Sequence, residues 1–420
     1  MAYVYDRKRD IALVRERVGG KMGEAIAERI EELYSVFDAR MLVWFAELYD
    51  KDIGGFYFTT PARDTEGFLP DIESTYDVLT SLESMGMLHN YGDSFVNAIP
   101  DWLKAKVSEF LLSCQDEDGY FYLPQWGKNV SIARISRDLS SATYLLDALG
   151  VKPRYPLPAV AKCESEEKSY DMANAPERFR SKENYISYLE AYDLSAKSYY
   201  VGSELLAQIA EIKGYSEILG EDLIGITVDF FNKYKRRDNG LWQEKVDYHA
   251  VNGLHKISWV YNLAGAPIPD IKACADSALA VILSDEPATH VVSVYNPWHA
   301  IGELVKNMKR VGGEEYERFV DYIRSRAPEA IEKTIEKIKQ FKMPDGSICY
   351  ALGGCDFTAQ GVLASPRDKR GASVDGACCG SDSLVSSVYA ALDMSDILAP
   401  LYSEAELKIF LDTLEKVNNS

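Results

Sequence analysis

DIGGFYFTTPARDTEGFLPDIESTYDVLTSLESMGML, residues 52–88, holds the unit from which the rest of the chain can be read. It opens on a Gly-Gly-aromatic turn, in which Gly54 and Gly55 permit the backbone angles that end the preceding helical pattern MLVWFAELY. A polar loop follows. Asp71, directly after Pro70, has the short acidic side chain that caps a helix start. Ile72, Thr75, Tyr76, Leu79 and Leu82 then recur at the spacing of one apolar helical face, which closes at Gly86. The order is helix, turn, loop, helix. Because the second helix begins where the loop ends, Arg63, Asp64, Glu66, Asp71 and Glu73 point toward whatever the loops surround.

The same order returns downstream. A helix introduced by Pro100 and Asp101 runs into CQDEDGYFYLPQWG, and a loop carrying Arg134, Arg137 and Asp138 leads to the helical pattern DLSSATYLLDALG. RRDNGLWQEK supplies a third turn, before the partly helical VDYHAVNGLHKISWVYNLAG, and MPDGSICYALGG a fourth, before SPRDKRGASVDG and the helix CCGSDSLVSSVYAALD. Helical patterning also covers 12–50, 185–213, 216–236, 270–283, 298–310 and 314–341, with a break expected near Pro328. A final helix starts at the capping box of Ser403 and Glu406. The turns are separated by one or two multiples of about 55–60 residues, the mark of stacked helical hairpins. Each hairpin has an apolar stripe that it cannot bury alone. The expected fold is therefore all-α, an α/α toroid of about six hairpins forming one large domain over 1–420, with an irregular lid or linker at about 151–183. An open solenoid and two helical domains are the alternatives.

The chain has 420 residues, 47% of them hydrophobic, and a formal charge of −19. That charge argues against nucleic acid and against an anionic membrane surface, both of which need a basic footprint. No run of about 18 apolar residues appears, and the start MAYVYDRKRD lacks the apolar core of a secretion signal. Seven cysteines, an odd number, read as reduced thiols. A cytoplasmic location is expected, with a small-molecule or oligosaccharide substrate.

CQDEDGYF with DLSSATYLLDALG, and GGF with DIESTYDVLTSLESMG, resemble repeats of the terpenoid cyclase and protein prenyltransferase toroids, loosely Q-x-x-D-G-x-aromatic followed by an acidic residue, Ser/Thr-Thr and a Leu-rich helix ending in Gly. The resemblance implies the architecture. The chemistry of those families does not carry over: the nearest string to the cyclases' Asp-x-Asp-Asp is Asp116-Glu117-Asp118-Gly119, and no histidine follows His299 to complete a prenyltransferase zinc site.

Candidate chemistry falls into four groups. Asp71 and Glu73 start one presumed inner helix, Asp138 another, and Asp375 and Asp382 flank the start of a third; paired carboxylates of this kind drive glycoside hydrolysis, while Asp71, Asp138 and Asp375 also read as simple helix caps. His249 and His255, with Tyr248, and His299, beside Trp298, carry the alternative of a polysaccharide or oligosaccharide lyase or a sugar epimerase. Cys355, Cys378 and Cys379, with Cys349 or Asp356, are a candidate zinc shell, and the vicinal pair resembles the zinc-thiolate site of some toroidal arabinofuranosidases. No other cofactor is implied. Arg63-Asp64, Arg137-Asp138 and Arg367-Asp368 recur before presumed inner helices, either as braces between loops or as guanidinium groups for a carboxylate or phosphate. The leading expectation is a carbohydrate-active hydrolase; a terpenoid or prenyl-binding toroid and a non-catalytic binding protein stand behind it.

Overall fold

The four glycine turns are four copies of one backbone device. In each, a residue two or three positions past the preceding helix accepts from the glycine amide and donates across a short loop: Asp50 with Gly54 and Gly55, Asp116 with Gly119 and Tyr120, Arg236 with Gly240 and Leu241, Met343 with Gly346 and Ser347, all at 2.8–3.0 Å. Gly54, Gly119, Gly240 and Gly346 have φ of 94°, 86°, 69° and 89°. A Cβ at these positions would lie 2.2–2.6 Å from the Lys106 carbonyl, the Pro156 carbonyl, the Cys274 amide and the Arg40 Cβ. Handedness and space both demand glycine there. Gly55 differs from expectation, since its φ is not positive; its place is fixed by the Phe110 ring, 2.8 Å from where a Cβ would stand.

The computed structural model describes residues 3–158 and 172–420. Its helices are α1 (Arg7–Val18), α2 (Gly20–Tyr34), α3 (Arg40–Glu47), α4 (Thr60–Arg63), α5 (Ile72–Ser84), α6 (Phe95–Ala98), α7 (Asp101–Cys114), α8 (Ile132–Ala148), α9 (Lys182–Glu190), α10 (Leu194–Ala207), α11 (Ile209–Leu219), α12 (Leu223–Tyr234), α13 (Tyr248–Ala264), α14 (Ile271–Leu283), α15 (Val292–Val311), α16 (Gly313–Ile338), α17 (Val374–Gly380), α18 (Asp382–Ala391) and α19 (Glu404–Asn419). The described sheet is one two-residue hairpin, Thr358–Ala359 with Val362–Leu363. The fold is all-α.

One series of helices packs side by side: α8 on α5, α5 on α17, α17 and α18 on α15, α15 on α13, and α13 on α10. A second layer backs it, with α7 on α8, α12 on α13, and α14 and α16 on α15. Between the layers one apolar core runs continuously from Ile11 to Leu414. No helix among the described residues is long and apolar enough to cross a membrane.

Several boundaries depart from the sequence reading. α8 starts at Ile132, capped by Ser131 rather than by Asp138, because Arg134 finds its acidic partner one turn ahead within the same helix. α13 is helical throughout, capped by Asp247. α15 starts six residues ahead of the expected 298 and contains Pro297 near its N-terminal end, where few intrahelical bonds are lost. α16 passes through Pro328 as one helix. The pattern at 185–213 divides into parts of three helices, with a non-helical Lys197 inside α10. Of the irregular segment at 151–183, residues 159–171 lie outside the described residues; the remainder holds two short 3-10 turns, Met172–Asn174 and Glu177–Phe179, and the start of α9. The capping box at Ser403 and Glu406 is present as expected.

Candidate functional site

Arg134 is the fixed point of the site. Its guanidinium is wholly buried, and it donates to Glu73 Oε2 at 2.5 Å and to both oxygens of Asp138 at 3.0 and 2.6 Å. α5 is thereby tied to α8. Arg137, one turn away and half exposed, also pairs with Glu73. Burial raises the Glu73 pKa, but the two arginines outweigh it and hold the carboxyl below its usual range. Asp71 caps α5, accepting from the Ser74 amide at 2.8 Å and the Ser74 hydroxyl at 2.7 Å. Burial lifts Asp71 to about 6 against the pull of Arg134, and burial likewise lifts Asp138. Three of the carboxylates expected to be catalytic are thus committed to internal pairs and a cap.

A different set of partly buried polar groups has few or no hydrogen-bond partners among the described residues. Asp77, one turn beyond Glu73 on α5, accepts no hydrogen bond from any described residue, and Asp375 on α17 accepts only from the Cys379 thiol, at 3.4 Å. Burial pushes Asp77 well above the carboxylate range, and Glu73 and Asp375 add to that. Burial and Glu73 raise Asp375 too. Tyr199 on α10, Tyr295 on α15 and Tyr350 beside α17 leave their hydroxyls unbonded among the described residues, and Lys256 on α13 forms no ion pair there. Burial raises Tyr350 and Tyr295; both then feel Asp375 and Cys379 as well as Tyr199, and Tyr350 also feels Arg137. Groups from α5, α8, α10, α13, α15 and α17 therefore share one electrostatic neighbourhood.

A cavity of about 580 Å³ opens beside it, lined by Tyr76, Asp77, Ser84, Cys378 and Asp382 among others. Asp382 accepts from the Ser84 hydroxyl at 2.6 Å and is raised by burial to about 6. A second cavity of the same volume is lined by Arg17, His299, Glu303, Lys306 and Ser387. His299 lies against buried His255 with ring centroids 4.4 Å apart, and Trp259 packs edge-on to both. Burial lowers His255 well below its ordinary value and His299 to about 4, so both rings are neutral at pH 7. Neither His255 nitrogen has a hydrogen-bond partner among the described residues.

The remaining candidates disperse. His249 is exposed, with Nε2 3.3 Å from the Ala196 carbonyl, and Tyr248 donates to the Glu286 carbonyl. Trp298 departs from its expected place beside a ligand: it is fully buried and donates to Thr334 Oγ1 at 2.8 Å, so it is a core residue. Arg63 and Asp64 pair with each other on the surface, and Arg367 and Asp368 are exposed. The expected equivalence of three Arg-Asp pairs fails at the second, because Asp138 binds Arg134 and Arg137 binds Glu73. The zinc shell is not assembled either: among the described residues no three His, Cys, Asp or Glu side chains are grouped to hold a metal ion. Asp356 is occupied by the amides of Tyr350, Ala351 and Ser373, Cys349 donates to the Phe341 carbonyl, and burial keeps Cys378 and Cys379 as neutral thiols.

Asp77, Tyr199, Lys256, Tyr295 and Tyr350 escaped the sequence reading. For Asp77 a signal existed, since it stands four residues after Glu73 and so on the same helical face. Tyr199 and Tyr295 carry none, being two among 27 tyrosines. Comparison with family models, with curated proteins and with solved structures finds no match to this chain.

Proposed function

We propose that the inner helices close as an α/α toroid and that the protein is a carbohydrate-active enzyme, a glycoside hydrolase of a reduced, cytoplasmic setting. One observation carries the reading: where α17 packs on α5, Asp77 and Asp375 are two carboxyls with no ion-pair partner among the described residues, and the charge of Asp375 reaches Asp77 as well as Tyr295 and Tyr350. Asp77, the more strongly raised, is the general acid that protonates the glycosidic oxygen. Asp375, raised less, is the carboxylate that activates water or attacks the anomeric carbon. Glu73 stays ionised between two arginines and keeps a negative charge near Asp77, which favours the protonated acid. The tyrosine rings supply faces and hydroxyls of the kind that saccharides pack against.

The test is release of reducing ends from a panel of oligosaccharides and aryl glycosides. D77N and D375N are each expected to lower kcat by about a thousandfold, in line with loss of an acid or base. Full activity in both variants would sink the proposal. A second reading, lyase or epimerase, draws on His299, whose neutral imidazole lines a cavity with Nε2 3.9 Å from Glu303. It predicts ultraviolet absorbance from a new double bond, or exchange of a sugar C–H proton, abolished in H299Q. The prenyl-binding alternative draws on a different place, a cavity of about 1230 Å³ lined by Tyr120, Tyr122, Ile132, Ile135, Leu139 and Leu146, with Asp147 as the one carboxylate among its described lining residues.

A further inference from the structure

Two cations of this strongly acidic chain, half-exposed Arg137 and partly buried Lys256, are close enough for the charge of one to act on the other, and both have donors to spare. Arg137 uses one nitrogen, Nη1, on Glu73; its Nη2 and Nε donate to no described residue. Lys256 has no carboxylate within ion-pair distance among the described residues. Its ammonium rests on aromatic faces instead, 5.1 Å from the Trp259 centroid and 6.0 Å from that of Tyr199. Tyr199 feels the charge of Arg137, and its ring is the second aromatic face near the Lys256 ammonium. Burial disfavours the Lys256 charge and Arg137 disfavours it further, so the cations repel each other. Exposed lysines without an acidic partner among the described residues, such as Lys8, Lys21 and Lys213, stand in water, whereas Lys256 is partly buried and has no water-exposed alternative of that kind. With Asp and Glu outnumbering Lys and Arg by 65 to 46, an inward lysine left beside an arginine is an arrangement that an anion relieves.

We infer that Lys256, the free edge of Arg137 and the Tyr199 hydroxyl form a subsite for a carboxylate of the ligand, so that the saccharide bound here is an acidic sugar of the uronate class. This deepens the hydrolase reading and rests on it for the word saccharide, though not for the anion. The overall charge of −19 sets a limit on the ligand: a long polyanion is repelled by the field of the whole molecule, whereas a single carboxylate on a short sugar meets the local pair. A bound carboxylate adds negative charge near Asp77 and Asp375. It therefore favours their protonated forms, and binding is expected to take up protons from the buffer.

Calorimetric titration of the full chain with D-glucuronate and D-galacturonate, against D-glucose and D-galactose, tests this. The uronates are expected to bind at least about tenfold more tightly than the neutral hexoses, the gain of one charge-assisted contact. The preference is expected to vanish in K256M and to return in K256R; neither variant removes an existing ion pair. Equal affinity for hexose and uronate, no binding of either, a preference that survives K256M, or phosphate and sulfate binding as tightly as the uronates would each overturn the assignment. Repeating the titration with D77N separates the two proposals, because a uronate preference retained in D77N upholds the subsite even where wild-type hydrolysis is absent.

Discussion

Arg134 Nη1 meets Glu73 Oε2 at 2.5 Å across the α5–α8 contact, with the arginine side chain wholly buried and the glutamate 13% exposed. Such a pair is a poor source of net stability when formed, because both charges leave water, and a costly one to break, because the survivor stays buried. Arg134→Met leaves Glu73 with Arg137 alone and Asp138 with no cation. Urea unfolding is expected to show a loss of about 3–5 kcal/mol. A loss below about 1 kcal/mol would mean that the pair is not the tie described here.

Asp77 and Asp375 differ in how far they are raised, so the proposed hydrolase is expected to show a bell-shaped pH profile for kcat/KM. On the basic side activity falls as Asp77 loses its proton, at a pH above the ordinary carboxylate range; on the acid side it falls as Asp375 gains one. D77N is expected to flatten the basic limb together with its loss of rate. A basic limb unchanged in D77N would assign it to another group.

Asp382 has a folded pKa of about 6 against an ordinary 3.8. The folded state therefore holds the proton more tightly, and the stability this contributes is complete below pH 3.8 and lost as pH rises through about 6. Comparing D382N with the wild type in thermal melts at pH 4 and pH 7.5 is expected to show the variant gaining relative stability at the higher pH. Parallel pH dependence in the two proteins would contradict the shift.

His299 works in the opposite direction. Its folded pKa of about 4 lies below the ordinary 6.5, so the unfolded chain takes up the proton first and stability falls as pH drops from 6.5 toward 4. H299Q is expected to reduce that slope, read as the difference in melting temperature between pH 7 and pH 4.5. Because Asp382 titrates in an overlapping window with the opposite sign, only the difference between variant and wild type is diagnostic.

Gly119 and Gly67 separate handedness from crowding. Both have positive φ, 86° and 93°, but a Cβ at 119 would lie 2.2 Å from the Pro156 carbonyl while one at 67 meets nothing within 4 Å. G67A is expected to cost about 1–2 kcal/mol from backbone conformation alone. G119A is expected to cost clearly more, because the 155–158 segment must also move, and equal losses in chemical denaturation would show that the close approach is not rigid.

The repeated unit was legible in the chain because everything that makes it is local. Positive φ at a glycine, an aspartate cap and an apolar period of 3.6 act within a few residues, and at 52–88 they predict the turn, the Asp71 cap and the face of α5 correctly. They also establish an all-α fold. What the sequence could not decide is who pairs with whom. Arg137 stands next to Asp138 in the chain but binds Glu73, 64 residues away, while Asp138 turns to Arg134. Asp77 looks like any surface acid on a helix until α17 packs on α5 and brings Asp375 to the same space. Charge pairing and pKa depend on distance through a low-dielectric interior, and that distance exists only after the helices have packed.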